Sequence, residues 1–137
     1  MSTFVDSSAF YAAADSGDTQ NARAKAILAD GGALMTSDHV LVECWLLIRH
    51  RQGRDVAERW WSALRSGVAL IETVGSADLD VAWEIGREFP DQDFSLVDRT
   101  SFAVMRRLGL TRVASFDDHF AIYRYGRARE RALEVLR

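Results

Sequence analysis

Short β-branched and aromatic runs alternate with longer helix-forming stretches along this chain. That alternation limits it to an α/β fold with a mainly parallel sheet, because parallel neighbours need a long crossover, which a helix supplies. The pattern predicts strands at 3–5 (TFV), 33–36 (ALMT), 68–74 (VALIETV) and 112–115 (RVAS), with a weaker one at 133–136 (LEVL). Between them lie helices bounded by caps and glycines. One runs over 18–30, with Asp18 as cap and Gly31 and Gly32 as stop; another runs over 37–53, from a Ser37 or Asp38 cap to Gly53. Two more cover 54–67 and 76–90, closed by Gly67 and Pro90. A last long helix begins at Ser95, where Asp98 three residues on resembles a capping box and Phe102, Met105 and Leu108 share one face. With 137 residues, 48% of them hydrophobic, and no linker, repeat or low-complexity tract, the chain reads as a single domain over 1–137.

Four acids recur at the ends of these elements. Asp6 follows the first strand in STFVDSSAF, and Asp117 follows RVASF in the same way. In open α/β sheets the carboxyl ends of strands are where ligand sites form. Glu43 stands alone among large apolar residues in HVLVECWLLI, and Asp98 sits in the first turn of its helix, so both lie in helices able to pack at that edge. Each acid taken singly has a purely structural explanation: a helix cap for Asp6 and Asp117, a favourable helix N-terminal charge for Asp98, a buried ion pair with an arginine for Glu43. Jointly they point elsewhere. Four converging carboxylates repel one another and raise one another's pKa unless a cation is bound.

The donor chemistry narrows that cation. Cys44 is the only cysteine and His39, His50 and His119 are scattered in the sequence, so zinc is disfavoured. Oxygen ligands favour Mg2+ or Mn2+, which pair with phosphate oxygens, and the implied substrate is a phosphate ester. Asp118 beside Asp117 competes for the same role, and Asp93 reads as an outer-shell acid or, in preference, as a loop residue. A lone cysteine rules out an intrachain disulfide, no signal-peptide pattern opens the chain, and no apolar run approaches the roughly 20 residues of a membrane span. A cytoplasmic protein with no membrane partner is the expectation.

The stretches FVDSSAFYAAAD, LVECWLLI, DFSLVDRTSFAVMRRLGL and RVASFDDHF, in that order and over essentially the whole chain, resemble a PIN-domain ribonuclease of the VapC type, the toxin half of a bacterial toxin–antitoxin pair. The resemblance implies a PIN-like three-layer sandwich, with a mainly parallel central sheet flanked by helices. It maps the family's acidic quartet onto Asp6, Glu43, Asp98 and Asp117, as catalytic metal ligands for Mg2+ or Mn2+, and its supporting hydroxyls onto Ser8 and Ser115. It further implies hydrolysis of structured RNA by a metal-activated water in line with the departing 3′ oxygen, inhibition by a cognate VapB-type antitoxin, and a homodimer. The rival reading is a catalytically silent metal-binding module acting through RNA or protein. An aspartate-nucleophile phosphatase would need an acid where Ser8 stands, and a phospho-receiver would need a late lysine, whereas Lys25 is the sole lysine and lies early.

Charge is unevenly spread. Residues 1–98 carry eight basic against sixteen acidic side chains, and residues 99–137 carry nine arginines against four acids. The basic tail RYGRARERALEVLR reads either as a phosphate-facing segment or as a solvated helix. Arg99 and Arg112 are the arginines singled out for RNA contact, with Arg124, Arg127 and Arg129 as further candidates. Trp45 and Trp83 sit in apolar helical surroundings and are expected in the core, whereas of the adjacent Trp60 and Trp61 one is expected to be exposed.

Overall fold

A computed structural model describes residues 1–30 and 32–137. Its centre is a five-stranded sheet in the order β3-β2-β1-β4-β7, with every pairing parallel. The strands are β1 (Ser2–Val5), β2 (Ala33–Ser37), β3 (Leu70–Glu72), β4 (Arg112–Ala114) and β7 (Glu134–Leu136). The chain steps outward from β1 through β2 to β3, then returns to the other side of β1 as β4, so the strand order reverses between β1 and β4. Outside the carboxyl ends of those two strands an open α/β sheet leaves a crevice.

Helices α1 (Ser7–Ala14), α2 (Asn21–Asp30), α3 (Asp38–Gln52), α4 (Arg54–Ala63), α5 (Ser76–Glu88), α6 (Leu96–Leu108) and α7 (Asp118–Ile122) pack around the sheet. Local chemistry sets several of their ends. Ser37 Oγ accepts from Val40 N at 3.1 Å to start α3, and Gly53 stops it at φ +94°, a backbone region costly for other residues. At α6 both halves of the capping box form: Ser95 Oγ accepts from Asp98 N and Asp98 Oδ2 accepts from Ser95 N, each at 3.0 Å. The expected helix over 18–30 begins later, at Asn21, because Asp18 folds into a turn that accepts from Gln20 N at 2.8 Å. Gly31, half of its expected stop, lies outside the described residues.

Phe4, Val5, Val40, Ile48, Ile85, Val104 and Val113 are fully buried in the core between sheet and helices. An aromatic cluster extends it at the α6–α7 end: Phe102 stacks on Tyr123 at 4.0 Å and meets Phe94 and Phe120 edge-on at 5.2 and 5.0 Å. On the opposite flank, Arg107 of α6 reaches Asp78 at the start of α5 through two hydrogen bonds, of 2.9 and 3.1 Å. It also reaches Glu72 of β3 at 2.9 Å. The guanidinium thereby holds the Asp78 carboxyl below its ordinary range.

Three expectations are corrected. The tail from Arg124 is not a helix: Gly126 and Arg129 take positive φ, of +93° and +53°, and β5 (Arg124–Tyr125) pairs antiparallel with β6 (Arg131–Ala132). The strand expected over 68–74 contracts to 70–72, because Gly67 at φ +105° keeps Val68 in the wide turn that leaves α4. Trp83 is 65% exposed: α5 buries Ala82 and Ile85, and the residue after Ala82 points about 100° away. Trp45 is half-buried against the core, Trp60 meets Phe10 edge-on at 5.6 Å, and Trp61 is exposed. Among the described residues no helix is long and apolar enough to cross a membrane.

Replacing Arg107 by Gln is expected to lower the stability of the fold, because it leaves the Asp78 carboxylate without its guanidinium partner. Urea unfolding monitored by circular dichroism measures the loss, and an unchanged midpoint would show that the pair is solvated in practice.

Candidate metal and nuclease site

Each candidate acid arrives at the β1–β4 crevice for a separate local reason. Asp6 is the residue after β1; it caps α1, and its backbone N–H donates to Ala114 O at 3.0 Å, which extends the β1–β4 pairing. Asp117 caps α7 just past β4 and accepts from His119 N at 2.9 Å. Asp98 is held in the first turn of α6 by its capping box. Glu43 lies in the middle of α3. Among the described residues it forms no ion pair with an arginine; a short hydrogen bond from Ser7 Oγ holds its Oε1.

The capping explanations therefore hold for Asp6, Asp98 and Asp117. Carboxylate and ring-nitrogen atoms of Asp98, Asp117 and His119 lie within 4.8 Å of one another. Asp6 and Glu43 stand close enough to feel the Asp98 charge, and Glu43 that of Asp117. Asp118 turns away to Arg137 at 3.0 Å, and Asp93 lies exposed, close enough for its charge to act on His119.

Ser8 and Ser115 brace Asp6. Their hydroxyls donate to Asp6 Oδ2 at 2.8 and 3.0 Å. Each hydroxyl oxygen also accepts a backbone N–H, Phe116 N for Ser8 at 2.9 Å and Asp117 N for Ser115 at 3.0 Å. A serine hydroxyl has one proton, so with both protons directed at an ionised Asp6, the 3.2 Å approach between the two oxygens carries no hydrogen bond of its own. The two serines thereby tie the β1–α1 junction to the loop that presents Asp117.

His119 enters the site although it was not among the expected site residues, having served in the sequence only as part of the acid, any residue, His, Phe pattern that favours Asp117 over Asp118. Its Nδ1 lies 2.7 Å from Asp98 Oδ2 and 3.6 Å from Asp117 Oδ1, and its ring meets Phe94 edge-on at 5.3 Å. The signal that could have found it is its place two residues after Asp117, in the first turn of a helix that Asp117 caps. The donor set of the crevice is thus carboxylate-rich with one imidazole. Because the imidazole is engaged with a carboxylate, it suits a group that orients a ligand, the usual arrangement around metal-binding carboxylates. The Cys44 thiol is buried and held neutral, its pKa driven up by burial and then by Asp6 and Glu43, so it offers no thiolate.

The electrostatics record the crowding. Burial pushes the Asp6 carboxyl from 3.8 up to about 6, with the Asp98 charge adding to the rise and the serine hydrogen bonds opposing it. Glu43 is raised by burial and by Asp98 and Asp117, against the Ser7 hydrogen bond. For His119 burial pulls downward, but the Asp98 hydrogen bond and the charges of Asp117, Asp98 and Asp93 win, so its pKa is raised. An excess of negative charge held in place by the fold is what a divalent cation would offset, and oxygen donors of this kind fit Mg2+ or Mn2+.

The arginines singled out earlier lie elsewhere. Arg112 opens β4 at the opposite sheet edge and pairs with Glu134 at 3.1 Å. Arg99 adjoins Asp98, but its Nε donates to Phe94 O at 3.0 Å and its guanidinium packs over Gly86.

A family model described as PIN domain matches residues 3–125. Two relatives from Mycobacterium tuberculosis, of strains CDC 1551 / Oshkosh and H37Rv, are each named 23S rRNA-specific endonuclease VapC20. Both are 38% identical to this chain over 120 residues, covering 86% of it and 91% of their own length. A crystal structure of Mycobacterium tuberculosis VapC20, described as a sarcin–ricin loop cleaving toxin, matches this fold with a TM-score of 0.83. That match has 35% identity and covers 88% of this chain and 93% of the other.

Asp6 gives a pH test of the metal-free site. Its folded pKa of about 6 lies above the unfolded value, so its contribution is fully present below about pH 4 and is lost as pH rises through 6, on the order of 3 kcal/mol in all. In chelator at pH 7.5, Asp6→Asn is expected to melt several degrees above the unsubstituted protein, and the gap should close towards pH 4. A gap that does not change with pH would remove the burial cost assigned to this carboxylate.

Proposed function

The chain belongs to the PIN-domain family, among relatives of the VapC toxin type, and from that premise we propose that it is a metal-dependent endoribonuclease that acts as the toxin of a VapBC-type pair and cuts 23S ribosomal RNA. The observation that carries the reading is the convergence of Asp98, Asp117 and His119, with Asp6 and Glu43 beside them, at the β1–β4 crevice of a fold shared with a ribosomal RNA endonuclease. A bound Mg2+ or Mn2+ would supply Lewis-acid polarisation of the phosphodiester and a lowered pKa for an attacking water.

In this reading Asp6, Glu43, Asp98 and Asp117 hold the ion. Ser8 and Ser115 fix the Asp6 carboxylate with two donated protons, and Ser7 does the same for Glu43. His119 sets the orientation of Asp98 through its 2.7 Å contact and stands beside Asp117, so one ring keeps two carboxylates from swinging apart. No side chain of the crevice has to serve as nucleophile. Water would attack phosphorus in line with the departing 3′ oxygen, and the carboxylates keep the geometry fixed as charge develops.

In this reading the partners are a VapB-type antitoxin and a second copy of the chain. The exposed apolar pairs Val42 and Leu46 on α3 and Leu79 and Trp83 on α5 support such contacts, since each pair sits one helical turn apart on one face. A catalytically silent metal-binding module would carry the same carboxylates, and metal-dependent cutting is what separates the two readings.

Purified protein incubated with ribosomal RNA in Mg2+ or Mn2+ is expected to produce discrete new 5′ ends in 23S RNA. These should vanish in chelator and fall by on the order of 10²-fold or more with Asp98→Asn. His119→Ala should cost roughly 10–100-fold, the scale for losing a group that orients a metal ligand. Cutting that survives chelation, or that Asp98→Asn leaves intact, would return the chain to the binding-module reading.

A further inference from the structure

One cavity of the molecule lies away from the carboxylates. It is an open pocket of about 550 Å³ where the end of α6 meets α7 and β5, lined by Arg106, Arg124, Arg127 and Arg129 with Glu88 and Tyr125. Among the described residues none of these four arginines forms an ion pair, so four guanidinium charges face one carboxylate.

Two of the four are fixed by the backbone. Arg124 Nη1 donates to the carbonyls of Ala121, Ile122 and Tyr123 at 2.6, 3.1 and 2.9 Å, and Arg129 Nη1 donates to Glu88 O at 3.0 Å. The turn that carries Arg127 and Arg129 is itself built: Glu130 accepts from Ala128 N at 2.9 Å and lies so close over Gly126 that a Cβ there would fall 2.7 Å from its Oε1. That arrangement occupies the local acid with the backbone and leaves Arg127 exposed.

The position relative to the carboxylates follows from the helices. Asp98 lies in the first turn of α6 and Arg106 in the last, and α7 separates Asp117 from Arg124. At about 1.5 Å of rise per residue, the eight residues from Asp98 to Arg106 give about 12 Å along α6. Successive phosphates of one strand of B-form DNA lie about 3.4 Å apart along the helix axis, so a gap on that scale corresponds to a few nucleotides. Arginine forks are matched to phosphate oxygens, and such contacts fix register and orientation, whereas base contacts specify sequence.

We propose that this arginine pocket is a second binding site for the RNA substrate, gripping the phosphodiester backbone a few nucleotides from the bond held at the carboxylates. The proposal rests on the ribonuclease reading above and deepens it. The pocket makes no contact with the reacting atoms, and its arginines are positioning residues for the strand.

The test measures binding separately from cutting. A fluorescent 23S RNA hairpin that spans the sarcin–ricin loop is titrated, over a range of salt, with protein carrying Asp98→Asn so that the RNA stays whole. Adding Arg106→Gln and Arg127→Gln is expected to weaken binding about tenfold and to reduce the slope of log affinity against log salt by about 2, one per lost phosphate contact. Arg127→Gln alone, at an exposed position, should give about half that change in slope. The pair Arg54→Gln and Arg65→Gln, on α4 and the turn after it, serves as a control that should change neither quantity. With Asp98 restored, the pocket pair should raise KM for the hairpin and leave kcat near its original value. Equal affinity and slope with and without the pocket arginines, an equal loss in the control pair, or no measurable binding by the intact pocket would overturn the proposal. Binding that depends on the pocket, with no cutting by the unsubstituted protein, would sink the ribonuclease reading and leave the pocket standing.

Discussion

Asp6 is a carboxylate buried at the end of the central strand, and what makes it tolerable there is a pair of hydroxyl donors that arrive from two different parts of the chain. Ser8 comes from the first turn of the adjoining helix; Ser115 comes from beyond β4, more than a hundred residues later. Because the same two oxygens accept the amides of Phe116 and Asp117, the loop that presents Asp117 is registered against Asp6. Removing either serine would unpin a junction as well as weaken a hydrogen bond. Two donors still do not repay the burial, since Asp6 keeps a raised pKa. The site stores a cost that a cation would relieve, the usual trade of stability for function at a strained centre.

The other half of the crevice is organised by an imidazole. His119 links Asp98 at the start of α6 to Asp117 at the start of α7, and behind it Phe94 connects the ring to the Phe102–Tyr123 stack. The aromatic cluster is therefore both part of the core and the wall against which the site's one histidine rests. Its far side meets the arginine pocket, which Tyr123 also lines. Negative charge at one end of this wall and positive charge at the other is the spatial form of the asymmetry between the two parts of the sequence.

The helix boundaries and the strand centres could be read along the chain because their causes are local. Ser37, Gly53 and the Ser95–Asp98 box act within a few residues, and apolar runs report burial directly. Reading failed where a residue's neighbours in sequence differ from its neighbours in space. Trp83 looks apolar in context yet lies one residue off the buried face of α5, and the arginine-rich tail has helical spacing yet is broken by Gly126 and Arg129 at positive φ. The contact of His119 with Asp98 was not foreseen, because a histidine in sequence says nothing about which carboxylates the packing brings to it.

By itself the sequence determined the alternating α/β class, the caps that start and stop the helices, and the placement of acids at element ends, since each follows from interactions spanning a few residues. Tertiary structure alone decided that the order of strands reverses between β1 and β4, so that Asp6 and Asp117 face one crevice. It also decided that His119 closes on Asp98, and that four arginines gather in one pocket. The physical reason is that charge and hydrogen-bond complementarity act through distances of a few ångströms. Only the packed sheet and helices bring residues from opposite ends of the chain within that range.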